Sequence, residues 1–126
     1  MMSFRFRPDV RLRSRREYVA VQDRGRRVSA RYLTMLALPN SLHRTRFGIV
    51  ASRRIGGAVV RNRVKRRLRE LFRHLEPDRA GHGEAPARPG FDLVVIARRE
   101  AVEAPFADLS ADFNAALGRV GVRPRS

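Results

Sequence analysis

Between positions 61 and 73 the chain carries Arg61, Arg63, Lys65, Arg66, Arg67, Arg69 and Arg73, with Glu70 the one acidic residue among them. Side chains of this kind bind anions; they supply neither a nucleophile nor a base at neutral pH. Like charges three or four residues apart destabilise a helix by a few tenths of a kcal/mol per pair, so such density calls for a neutralising partner. Phosphate matches: the guanidinium fork grips it bidentately and also stacks on bases. Arg53 and Arg54 lie just upstream, followed by Gly56 and Gly57. These glycines read either as a flexible turn or as a place where backbone passes close to a phosphate at a helix N-terminus, where free N–H groups and the dipole favour anions.

The rest of the sequence excludes other chemistries. There is no cysteine, hence no disulfide framework and no thiolate metal site. His43, His74 and His82 lack the spacing of a metal motif. No phosphate-cradling GxxxxGK[ST] occurs, and the 12 Asp and Glu residues are scattered. Asp108 and Asp112 stand four apart and read as a solvated pair on a helix. No catalytic residue is therefore expected in this chain. The 28 Lys and Arg give a net charge of +16, an attractive field for a polyanion, while a 43% hydrophobic content indicates a folded body under that charge. Lys65 is the single lysine; a GC-rich genome would also favour arginine. The start MMSFRFRPDV has no long apolar run, so neither a signal peptide nor a membrane span is expected, and a cytoplasmic location follows.

Positioning such residues requires a scaffold, and 126 residues make one domain. Ser14 and Glu17 form a capping-box pattern that opens a first helix through Tyr18, Val21 and Gln22, with Gly25 as its stop. The segment 28–38 alternates as a strand, Leu33, Met35 and Ala37 on one face and Tyr32, Thr34 and Leu36 on the other. Thr45 to Ser52 reads as a second strand, and the short link suits an antiparallel hairpin-like connection. From Ala58 to Leu75, Val60, Val64, Leu68, Leu71, Phe72 and Leu75 form an apolar stripe of about 120°. Arg63, Lys65, Arg66, Arg69 and Arg73 lie opposite, with Arg67 at the edge. Residues 77–90 read as a mobile loop, Phe91 to Ala97 as a buried strand, and the segment around 106–120 as a helix with Phe106, Leu109, Phe113 and Leu117 inward. A disordered tail is expected over 121–126.

The stretch RFGIVASRRIGGAVVRNRVKRRLRELF, Arg46 to Phe72, closely resembles the signature of the bacterial ribonuclease P protein family. Its hallmark is Arg61-Asn62-Arg63, followed by Val64-Lys65-Arg66 and Arg69-Glu70. More weakly, RLRSRREYVAVQDRG, FDLVVIARR and FADLSADFNAAL are similar to the family's first helix, last strand and closing helix. The resemblance implies an α+β fold of order αβββαβα, a mixed four-stranded sheet with a left-handed βαβ crossover that most folds avoid. Periodicity alone yields three strands, so the fourth must be a short piece near Arg26 to Ser29.

The resemblance also implies a function: an accessory protein whose partners are ribonuclease P RNA and precursor tRNA, with no protein partner and no membrane required. The RNA subunit, which holds Mg²⁺, cleaves the 5′ leader. Arg53, Arg54, Arg61, Asn62, Arg63, Lys65, Arg66 and Arg69 carry over as RNA-binding positions. A cleft between the first helix and the sheet, lined by Tyr18, Gln22, Tyr32, Thr34 and Leu36, carries over as the site for the single-stranded leader. Tyr18 matches one of the family's stacking aromatics, whereas Gln22 and Leu36 stand where others often occur. Tyr32 and Thr34 read equally as half-buried strand residues. A structural ribosomal protein or a general nucleic-acid chaperone is the alternative that the charge also permits.

Overall fold

The computed structural model describes residues 11–12, 14–40, 42, 44–75 and 90–121. The expected loop at 77–90, apart from Gly90, and the expected tail at 121–126, apart from Gly121, lie outside them. The first helix, α1 (Arg15–Arg24), opens on the anticipated capping box. Ser14 Oγ accepts the Glu17 N–H at 3.2 Å, and Glu17 Oε1 accepts the Ser14 N–H at 3.1 Å. Gly25 ends α1 in extended backbone rather than the left-handed form common at helix ends. It is glycine because a Cβ there would lie 2.5 Å from the Val21 carbonyl oxygen and 3.0 Å from that of Ala37.

From Gly25 the chain enters β1 (Arg26–Ser29), the short fourth strand, which pairs antiparallel with β2 (Leu33–Pro39). The segment expected to be one strand over 28–38 is therefore broken by a turn at 30–32. The reason lies far away in sequence. Asp112, expected to be solvated, accepts the backbone N–H groups of Arg31 at 3.2 Å and Tyr32 at 2.8 Å and anchors the turn.

Next come β3 (Arg46–Val50), a 3-10 turn (Arg53–Ile55), α2 (Ala58–Leu75), β4 (Phe91–Ala97), a second 3-10 turn (Arg99–Val102) and α3 (Phe106–Val120). The strands stand in the order β1-β2-β4-β3. The expected hairpin between β2 and β3 is thus corrected: β4 lies between them, antiparallel to β2 and parallel to β3, and α2 makes the crossover from β3 to β4. Burial explains this order. Leu93, Val94 and Val95 are buried on both faces of the sheet, which only a central strand allows.

The larger core lies between the sheet and α2 with α3. There Phe47 and Phe72 stack at 4.1 Å between ring centroids, and Phe113 meets Phe72 edge-on at 5.6 Å. Val64, Leu68, Leu71 and Phe72 of the α2 stripe are buried as expected and Val60 packs against them. On α3 the inner face is Leu109, Phe113, Ala116, Leu117 and Val120; Phe106, placed inward by its spacing, is the first helical residue and stays 40% exposed. A smaller core of Leu12, Val21, Leu36 and Val94 lies under α1 on the opposite face. No helix among the described residues is long and apolar enough to cross a membrane.

Candidate nucleic-acid interface

The entry to α2 is shaped by its backbone. Ser52 Oγ accepts the Arg54 N–H at 3.3 Å, Ile55 is buried, and Arg53 and Arg54 project from the turn into solvent. Gly56 has φ +146°, and a Cβ there would meet Val60 at 2.9 Å, so glycine is required on both counts. Gly57 faces open space. The two glycines therefore differ: one makes the turn, the other leaves the helix N-terminus uncovered.

Along α2, Asn62, Arg63, Arg66 and Arg69 are exposed and Arg61 and Lys65 half-buried. Among the described residues none of Arg61, Arg63, Lys65, Arg66 and Arg69 is in an ion pair; Arg73 pairs with Glu70 at 2.9 Å. The buried Nε of Arg61 has no hydrogen-bond partner there. Arg67 does something else. Its guanidinium donates to the carbonyls of Ala101 at 2.7 Å and Val102 at 2.9 Å, and also to that of Ala104, so it fastens α2 to the second 3-10 turn.

Beside this face lies a groove of about 420 Å³ lined by Arg15, Tyr18, Val19 and Gln22 of α1, Ile49, Val50 and Ala51 of β3 and its exit, and Lys65 of α2. Lys65 thus joins the basic face to the groove. Tyr18 is half-buried in the wall, where burial raises its phenol above the ordinary tyrosine value and a backbone hydrogen bond with Ile49 partly opposes the rise. The ring is therefore a neutral platform at physiological pH. Gln22, one turn further along, is exposed.

The other three expected cleft residues are not in its lining. Leu36 is buried under α1. Thr34 shares its sheet face, is 5% exposed and accepts Arg98 Nη2 at 3.4 Å. Tyr32 departs further: it packs into the larger core on the opposite side of the sheet, with Arg31 5.1 Å over its ring. Because it belongs to the turn rather than to β2, the period-two alternation that assigned it to the cleft does not apply.

Sequence reasoning missed the clamp that holds α1 in place. Arg46 bonds Glu17 Oε2 at 3.0 Å and both oxygens of Asp92, at 2.9 and 2.8 Å. The Asp92 hydrogen bond is the largest influence raising the Arg46 guanidinium above its ordinary value, against the opposing effect of burial. Asn40 Nδ2 also donates to Asp92 at 2.8 Å. The available signal was a carboxylate at the head of an otherwise apolar strand, since a charge buried to 6% exposure needs a partner. Among the described residues no group of three or more His, Cys, Asp or Glu could hold a metal ion.

The model of the family described as Ribonuclease P matches residues 6–121. The chain belongs to the ribonuclease P protein family. It is 42% identical over 113 residues to the ribonuclease P protein component of Roseiflexus castenholzii, covering 89% of this chain and 86% of that one. Among solved structures, the RNase P protein from Thermotoga maritima in complex with 1-(4-fluorophenyl)-2-thiourea is 34% identical, with a TM-score of 0.71 over 86% of this chain and 98% of that one. The Staphylococcus aureus RNase P protein mutant with defective mRNA degradation activity, at 23% identity, shares the fold with a TM-score of 0.77 over 90% of each chain. The three helices and mixed four-stranded sheet of this ribonuclease P family member are those of its structural relatives.

Proposed function

We propose that this chain is the protein subunit of a cytoplasmic ribonuclease P, binding the catalytic RNA and the single-stranded 5′ leader of precursor tRNA and so assisting endonucleolytic 5′ maturation. The observation that carries the reading is the meeting, at Lys65, of a groove walled by a half-buried tyrosine with a helix face on which Arg61, Arg63, Lys65, Arg66 and Arg69 are in no ion pair among the described residues. Arg53, Arg54, Arg61, Asn62, Arg63, Arg66 and Arg69 contact the phosphates of structured RNA, and Tyr18 offers a platform on which an unpaired base stacks. Cleavage belongs to the RNA subunit, which holds the Mg²⁺.

The deciding experiment mixes the protein with ribonuclease P RNA and precursor tRNA at low Mg²⁺. Leader cleavage is expected to rise. Cleavage unaltered by the protein, with RNA still bound, would reassign it as a ribosomal protein or general nucleic-acid chaperone.

Two further results are expected. Arg66→Ala removes one phosphate-facing cation, so log K for the RNA subunit should depend less steeply on log salt, by about 0.7 to 0.9. An unchanged slope would remove Arg66 from the interface. Sulfate should raise the melting temperature beyond what an equal concentration of neutral osmolyte achieves, because an anion that binds the native cation cluster stabilises the native state by linkage and relieves self-repulsion. Equal effects of the two solutes would contradict a clustered native site.

A further inference from the structure

Gly48 lies in the middle of β3, opposite Val94 of β4, and is buried. Glycine inside a strand weakens it, and nothing in this backbone asks for one: among the described residues only Gly56 and Gly121 have positive φ. The space explains it instead. A Cβ at position 48 would lie 2.6 Å from Cε1 and 2.7 Å from both Cζ and the hydroxyl oxygen of Tyr18. The phenol end of the ring occupies the volume that a side chain would fill.

We infer that Gly48 is a positioning residue of the groove: its missing side chain gives Tyr18 a seat on β3, and that seat fixes the ring where an unpaired base of the leader stacks. The inference rests on the leader reading proposed above. Neighbouring contacts set the same register. Glu17 bonds Arg46, and the next residue of α1, Tyr18, meets Gly48, two positions along β3 and on the same face. Helix, ring and strand are thereby locked together in a way that an added methyl group would break.

A double-mutant cycle tests this in two arms. The holoenzyme is reconstituted with ribonuclease P RNA, and its affinity for precursor tRNA with a leader of several nucleotides is compared with that for mature tRNA, using Tyr18→Ala, Gly48→Ala and the double variant. Gly48→Ala should reduce the leader-dependent ratio by about fivefold or more, and in the Tyr18→Ala background it should change the ratio by less than about twofold. A similar loss in both backgrounds, or no loss beside a clear effect of Tyr18→Ala, overturns the inference.

The second arm uses the protein alone and its thermal melting. Gly48→Ala should lower the melting temperature, and most of that loss should vanish in the Tyr18→Ala background, where the space is empty. If Gly48→Ala fails to fold while the double variant folds, the seat is confirmed; if both are equally damaged, it is refuted. Should Tyr18→Ala leave the leader-dependent ratio untouched, the leader reading fails, and the melting arm then decides by itself whether Gly48 seats the ring.

Discussion

Tyr18→Ala is expected to weaken holoenzyme affinity for precursor tRNA by about 5- to 150-fold, the equivalent of about 1–3 kcal/mol for one base–aromatic stack, and to leave mature tRNA binding unchanged. The asymmetry follows from where the ring sits. Tyr18 lines a groove whose other walls are small or aliphatic, Val19, Ile49, Val50 and Ala51, with Arg15, Gln22 and Lys65 as its polar members. Removing the ring deletes the aromatic surface of that lining and no cation, so the phosphate contacts proposed for structured RNA should persist. Matching circular dichroism must accompany the measurement, since Tyr18 also packs beside the smaller core. Equal losses for precursor and mature tRNA would show that the tyrosine is a helix anchor and that the groove has no role in leader binding.

Arg67→Met should destabilise the fold by about 2–4 kcal/mol in denaturant titration while leaving the salt dependence of RNA binding as it is. A hydrogen bond from a charged donor contributes about 1.5–3 kcal/mol, and this guanidinium serves three carbonyls, those of Ala101, Val102 and Ala104. Methionine keeps the aliphatic stem, so the loss reports the guanidinium rather than packing. Its neighbour Arg66 has the opposite profile, exposed and outside every ion pair among the described residues. The pair of substitutions therefore separates a structural arginine from one proposed to bind RNA at consecutive positions. Wild-type stability in Arg67→Met together with a shallower salt slope would exchange the two roles.

What the amino-acid sequence determined by itself was local. The capping box of Ser14 and Glu17, the span of α2 from Ala58 to Leu75, its buried stripe and the β4 span from Phe91 to Ala97 all arise from interactions within a few residues or from a short period, and the structure has them at the expected positions. The density of arginine likewise required an anionic partner whatever the fold. The order of the sheet was open to sequence only in part: a doubly buried β4 needs a central place, yet nothing near residues 39–46 reveals that β4 will enter between β2 and β3.

Tertiary structure alone decided which members of each pattern stay at the surface and which are taken up by the fold. Arg67 sits at the edge of the helical wheel beside the solvent-facing cations, and only the carbonyls brought up by residues 101–104 withdraw it from them. Tyr32 alternates with Thr34 and Leu36 on paper, but Asp112, 80 residues away, pulls the turn out of the strand and sends the ring to the other core. Arg46, Glu17 and Asp92 become one clamp across separations of 29 and 46 residues, and Gly48 acquires its meaning only from the ring of Tyr18. Such contacts join groups that no period or short motif relates, and they depend on which backbone groups and volumes packing leaves to be filled.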